Sequence, residues 1–205
     1  MKTKQITTDF LIVLIASIIA IGANYAAATT IQKFTFEELV ELSELILEGE
    51  VISVDPFIEE ELVYTRVVLE VLEVLKGDGP GEFIELDFLG GELDGKVVRV
   101  SGQDIPFEKE RGFYFIENTA NDSVSPLLGW SQGHFRILTD AKGNESLDTD
   151  VRLELLEITE NKNIALAAKL RNMKFSNQLV TELSFTPATP TELRDAVDSI
   201  LLIGE

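Results

Sequence analysis

The feature that most constrains this chain is the stretch 45–76, LILEGEVISVDPFIEEELVYTRVVLEVLEVLK. Two long runs of β-type alternation flank an acidic turn that opens at Asp55-Pro56 and closes at Glu61. In the second run Val63, Thr65, Val67, Leu69 and Val71 share one face, with Arg66 and Glu70 on the other. Near Val71 the phase slips by one residue, so that Leu72 and Val74 are expected inside and Glu73 outside. Such a slip marks a β-bulge, which bends and over-twists a strand. Gly49 in the first run permits a similar close bend. Long bent strands suit a small closed barrel better than a flat sheet.

The 205 residues favour one domain, and 45% hydrophobic residues are ample for a core. Residues 1–28 read as a secretory signal peptide: Lys2 and Lys4 precede an apolar run at 10–23, and Ala26-Ala27-Ala28 fits the small-residue cleavage pattern. The run is short for a membrane span, so cleavage after Ala28 is expected, with an uncleaved anchor as the alternative. The expected location is therefore exported, periplasmic or extracellular, with no stable membrane span after cleavage. The whole chain has a net charge of −19, and losing Lys2, Lys4 and Asp9 makes the remainder −20. That charge argues against nucleic acid and anionic lipid as partners, because binding phosphate takes clustered Lys and Arg. There is no cysteine and only one histidine, which excludes disulfides, Cys-based zinc sites and His-rich metal centres.

Thr35 as N-cap with Glu38 at N3 forms a capping box, and Phe34 with Leu39 a hydrophobic staple. A helix is expected from there to near Leu45, with its glutamates on a solvated face. Ile84, Leu86 and Phe88 alternate with Glu85 and Asp87 as a third strand, and Gly90-Gly91 through Gly95 leads a hairpin into 96–100. The stretch 112–117 (GFYFIE) is apolar on both faces and reads as a buried strand. Another strand follows at 134–139, with Phe135 and Ile137 inward, Arg136 outward and a turn at Lys142-Gly143-Asn144. The stretch 151–158 fits strand or helix, and 164–173 favours helix by propensity. Thr189, Pro190 and Glu192 open a last helix, whose Leu193, Ala196, Val197, Ile200 and Leu201 form one apolar stripe.

Together these predict a mainly β (α+β) fold: an OB-like antiparallel barrel of five or six strands, with an N-terminal helix and C-terminal helices. The domain plan is a signal peptide at 1–28, the barrel with its N-terminal helix at 29–150, and a helical extension at 151–205 packed on the barrel.

Gly129-Trp130-Ser131-Gln132-Gly133 matches the G-x-S-x-G nucleophile elbow. That chemistry needs a strand before the serine, a helix after it, and a triad in the order Ser, acid, His. Here a strand follows, and the single histidine, His134, comes three residues after Ser131. A glycine-flanked bend is the better reading, and a serine hydrolase using Ser131 is the alternative. The acidic stretches 59–61 and 140–150 do not match a calcium loop, and no phosphate-binding glycine loop occurs. No catalytic residue, metal ligand or cofactor is expected. The expected binding face is Trp130, Ser131, Gln132 and His134, beside Tyr64 and Arg66 if their strands are neighbours. The expected partner is an unknown protein or small ligand in the cell envelope or exterior.

The combination LSELILEGEVISV, YTRVVLEVLEVLKG, FLGGEL and GWSQGHFRI resembles an uncharacterised family of exported bacterial proteins. Its pattern has a capped helix, an I-V-x-G-x-V strand, a Y-T strand ending in V-L-K-G, a Gly-Gly hairpin and a G-W-x-Q-G-x-F strand. The matches are at 46–51, Tyr64-Thr65, 74–77, Gly90-Gly91 and 129–135, and that resemblance implies no established activity. More distantly the layout is similar to netrin-like domains, the OB-type barrel of metalloproteinase inhibitors. Those inhibitors depend on an N-terminal cysteine and disulfides, which this chain lacks, so the resemblance implies a barrel and lends little to inhibition; a protease-inhibitor-like barrel stands as a further alternative to the binding module.

Overall fold

The computed structural model describes residues 32–120, 123–148 and 188–203. Among them are eight strands, two α-helices and one 3-10 turn. Helix α1 (Phe36–Leu42) opens on the expected capping box: the Thr35 hydroxyl accepts from Glu38 N at 3.2 Å, and the Glu38 carboxylate accepts from Thr35 N at 2.8 Å. It stops at Leu42, short of the expected end, because Ser43 is already extended and β1 begins at Leu45.

Strands β1 (Leu45–Glu59) and β2 (Leu62–Lys76) form one long antiparallel hairpin. Glu60 and Glu61 close it with φ of 47° and 68°, a two-residue turn of the type that matches strand twist. The register shifts between Ile46 and Leu47, between Glu48 and Gly49, and between Val51 and Ser53. The bulge expected near Val71 is therefore present, but its geometry differs from the expectation. Leu72 and Val74 are exposed, at 46% and 37%, while Leu75 packs into the core. Two neighbouring shifts turn the strand twice, and one slip read from sequence cannot convey that. Gly49 sits at a shift, where an added Cβ would lie 3.0 Å from the Glu70 carbonyl oxygen.

The remaining strands are β3 (Phe83–Leu89), β4 (Gly91–Leu93), β5 (Lys96–Val98), β6 (Arg111–Ile116), β7 (His134–Thr139) and β8 (Glu145–Leu147). Six strands make one antiparallel sheet in the order β3-β2-β1-β6-β7-β8, and β4-β5 is a separate hairpin. β8 was not expected; three residues are too few to show alternation. The ladder leaves β3 and β8 at its edges, and a closed barrel is not shown.

Each face of the sheet has its own core. Ile46, Phe113, Phe115, Phe135 and Ile137 face α1 and the last helix, α2 (Pro190–Ile203). Phe36 of α1 meets Phe115 and Phe135 edge-on, at ring distances of 5.7 and 5.8 Å. On the other face Leu47, Val67, Leu69, Leu86, Phe88, Tyr114 and Ile116 join one cluster. These come from four strands, β1, β2, β3 and β6. β6 has both faces covered, which explains its unbroken apolar run.

The apolar stripe of α2 is buried through Leu193, Ala196, Val197 and Ile200, and Thr189 and Glu192 form its capping box. The two ambiguous stretches, 151–158 and 164–173, and the signal stretch, 1–28, lie outside the described residues. Among the described residues no helix is long and apolar enough to cross a membrane.

Candidate functional site

The G-W-S-Q-G turn folds as a single 3-10 turn (Trp130–Gly133) between the 124–128 segment and β7. Its glycines are required by contact. An added Cβ at Gly129 would lie 2.8 Å from the Phe34 ring, and one at Gly133 would lie 2.5 Å from the Leu128 carbonyl oxygen. Gly129 is left-handed, with φ of 62°. Trp130 follows with φ of 63° and is half-buried. Ser131 is exposed. Gln132 fastens the N-terminal segment to the turn: its Oε1 accepts from Phe34 N at 3.0 Å, and its Nε2 donates to Gln32 O at 2.8 Å.

His134 stands directly across from Tyr114 on β6, and the two rings stack at 4.7 Å. The imidazole is only 5% exposed. Its Nε2 lies 3.0 Å from Oε1 of Glu110, whose side chain is 4% exposed. The separation is that of an ion pair, but neither atom has the angular geometry of a hydrogen bond. The Tyr114 hydroxyl is also buried without a hydrogen-bond partner. Burial, together with the Glu110 carboxylate, holds the Tyr114 phenol well above its ordinary pKa of 10.0. Arg136 closes the cluster: it lies 3.8 Å from Glu110 and also reaches Asp104 and Asp148, at 3.6 and 3.5 Å.

Tyr64 and Arg66 lie elsewhere. β2 and β7 are separated in the sheet by β1 and β6, so these two residues do not join the turn. Tyr64 stacks on Phe57 at 5.6 Å. Arg66 lies over the same Phe57 ring and makes a bidentate pair with Asp87, both bonds 2.8 Å. Of the six expected face residues, the structure thus groups Trp130, Ser131, Gln132 and His134 by sequence proximity. Within that group the His134 side chain turns inward and Gln132 is engaged by the chain itself.

A second charged cluster lies on the helix-covered face. Glu48 is 1% exposed and receives Arg111 of β6 and Arg194 of α2 on separate carboxylate oxygens. Sequence reasoning missed Glu48, Glu110, Tyr114, Arg111 and Arg194. A signal for two of them was present: Glu48 interrupts Leu45-Ile46-Leu47, and Arg111 opens GFYFI. A charge inside a run buried on both faces needs a partner. Among the described residues no group of three or more His, Asp or Glu is placed to hold a metal.

No family model, no curated protein and no solved structure matches this chain.

Proposed function

We propose that the chain is an exported, non-enzymatic binding module whose partner, a protein or a small ligand, is met in the cell envelope or outside the cell. The observation that carries this reading is the divergence of Ser131 and His134. The hydroxyl is exposed on the 3-10 turn, whereas the imidazole is packed against Tyr114 and Glu110 inside the protein. A serine nucleophile needs a base within hydrogen-bond reach of its hydroxyl. The pair is instead arranged as an exposed turn over a packed interior. Trp130 and Ser131 are the residues this turn offers to a partner.

In this reading the sheet is an OB-like barrel. Its support is the single core cluster fed by four strands, and a backbone hydrogen bond of 2.9 Å from Leu89 N to Val124 O. That bond ties the end of β3 to the segment that bridges to β6 at Ile116–Leu127. Export rests on the basic start, the apolar run at 10–23 and the alanine cleavage pattern.

The test is capture with the tagged mature chain, beginning at Thr29, from envelope and culture-supernatant fractions of its host. A stoichiometric partner lost on Trp130→Ala supports the reading. Covalent labelling by a fluorophosphonate probe that disappears in Ser131→Ala overturns it in favour of a hydrolase.

A further inference from the structure

β1 runs on past the strand that flanks it. Over 45–50 it is paired on one edge with β6 and on the other with β2. Val51 then exchanges bonds with the 109–110 backbone: its N donates to Glu110 O at 2.9 Å, and its O accepts from Lys109 N at 2.8 Å. Over 53–59 β1 keeps β2 on one edge, and among the described residues no backbone pairs with the other. The Glu60-Glu61 turn sets which groups face that open edge. A two-residue turn makes Glu59 and Leu62 a hydrogen-bonded pair, and alternation makes Phe57 with Tyr64 and Asp55 with Arg66 the next two. Val54, Pro56 and Ile58 therefore point their backbone groups away from β2. A bond on the far side of the hairpin agrees: Val63, the partner of Ile58, turns its carbonyl to Gly90 N at 2.9 Å. Pro56 agrees as well, since its missing N–H falls on the open edge, where a ladder tolerates proline.

The two faces of this stretch differ. On one, Val54, Pro56 and Ile58 are apolar, with Pro56 exposed and Ile58 at 42% exposure. On the other, Asp55 and Glu59 flank Phe57, and Glu60 and Glu61 follow at the tip. All four carboxylates are exposed. The single cation of the hairpin's outer half, Arg66, is already held by Asp87 and Glu85, at 2.8 and 3.1 Å. The open edge is thus bordered by an apolar row and an acidic row.

We propose that the open edge of β1 over 53–59 is a strand-addition site for an extended basic segment of another protein, in which Lys or Arg alternates with aliphatic residues. The added backbone bonds to the carbonyls of Val54, Pro56 and Ile58 and to the N–H groups of Val54 and Ile58. An added strand continues both faces of the sheet. Its alternate side chains lie beside Val54 and Ile58 on one face and beside Asp55 and Glu59 on the other. That demands aliphatic residues at one set of positions and cations at the other. The field of a chain of net charge −19 favours the approach of the same segment. A second copy of the chain does not fit this edge. It would bring a second Pro56 and the same acidic row, and like charges across a ladder destabilise it. The site rests on the reading of the chain as a binding module, but it uses none of the residues of the 130–133 turn.

The test is titration of the full chain with the heptapeptide amide KVKVKVK, followed by calorimetry and by amide exchange in NMR. Saturable binding with a Kd of about 0.1 mM or tighter is expected. In the complex the Val54 and Ile58 amides should exchange about tenfold or more slowly, while that of Phe57, already bonded to β2, changes little. Combining Asp55→Lys with Glu59→Lys should weaken binding by about tenfold or more. The peptide KKKKVVV, of the same composition without the alternation, should be weaker by a similar factor. Asp55 and Glu59 are exposed, so the double variant keeps the fold, which circular dichroism checks. Three results overturn the proposal: no saturable binding of KVKVKVK, equal binding of KKKKVVV, or Val54 and Ile58 amides protected before any peptide is added. The last result means that the edge is already taken, by this chain or by a second copy, and sedimentation tells which. Absence of peptide binding alongside intact Trp130-dependent capture removes this inference and leaves the module reading standing. Ser131 labelling removes the module reading itself.

Discussion

Arg194 on the last helix donates to Glu48 on β1, across 146 positions of sequence and into a site where the carboxylate is 1% exposed. Arg111 of β6 holds the other oxygen at 2.5 Å, and Arg194 also reaches Glu73 of β2 at 2.7 Å. The guanidinium of Arg194 additionally lies over the Phe113 ring, 5.2 Å from its centroid. One carboxylate thus ties together two central strands and the helix that covers them. Truncating Glu48 removes the buried charge, while Arg111 keeps Glu145 and Arg194 keeps Glu73, so the loss lies below the about 3–5 kcal/mol of a broken buried pair. Glu48→Ala is expected to lower unfolding stability by about 1–3 kcal/mol in urea titration. Arg194→Ala should cost less, because Arg111 stays on Glu48. Equal and small losses in both variants would show that the cluster does not fasten the helix.

Lys76, the last residue of β2, caps α1 from outside. Its ammonium donates to the carbonyl oxygens of Val40, Glu41 and Ser43 at 2.8, 2.8 and 2.7 Å. The helix has no basic residue in its own last turn, so β2 supplies the cation that its C-terminal end favours. Burial holds the Lys76 ammonium below its ordinary pKa of 10.5. Lys76→Met keeps the aliphatic stem and removes the three donors. A loss of about 1–3 kcal/mol is expected, with faster amide exchange in α1 than in the sheet. Unchanged exchange in α1 would mean that the cap is not what holds this helix end.

Much of this architecture was legible because it is written locally. The capping boxes at Thr35 and Thr189 use residues three apart, and the alternation in β2, β3 and β7 is read within each strand. The bulge was legible as a loss of phase near Val71, but the direction of Leu72 was not, because Leu72 is itself left out of the pairing and Leu75, three residues on, is left out again. The candidate site was less legible than the fold. His134 was singled out for its chemistry, yet its environment is set by Tyr114 and Glu110, residues 20 and 24 positions away. Arg66 and His134 fall on strands separated by two others, and no spacing along the chain reveals strand order.

The β1-β2 turn carries removable strain. Glu60 and Glu61 both have positive φ, a conformation that costs a residue with a side chain about 1–2 kcal/mol. Asn-Gly is the pair that such a turn favours. Replacing Glu60-Glu61 by Asn-Gly is expected to stabilise the protein by about 1 kcal/mol and to raise its Tm. The tip is also acidic, with Glu59 alongside, so relief of charge repulsion gives the same sign. The Gln-Gln variant separates the two causes, since it removes the charges and keeps the strain. If Gln-Gln stabilises as much as Asn-Gly, the backbone argument fails.

Tyr114 makes the opposite kind of prediction from most core residues. Its ring is fully buried and stacked on His134, but its hydroxyl has no hydrogen-bond partner. Tyr114→Phe keeps the ring and removes the orphaned group, so stability should be unchanged or rise by about 1 kcal/mol rather than fall. The pH dependence follows from the raised phenol pKa. Above the unfolded value of 10.0 the unfolded chain loses this proton while the folded protein keeps it. The folded state then binds more protons, so the Tyr114 contribution is complete below pH 10.0 and declines as pH rises towards the folded value. Urea titrations between pH 8 and about 11 should therefore show wild type losing stability faster than Tyr114→Phe above the unfolded phenol value. Parallel curves for the two proteins would mean that the hydroxyl titrates as freely in the folded state as in the unfolded one. A marked loss in Tyr114→Phe at neutral pH would mean that the hydroxyl has a stabilising partner after all.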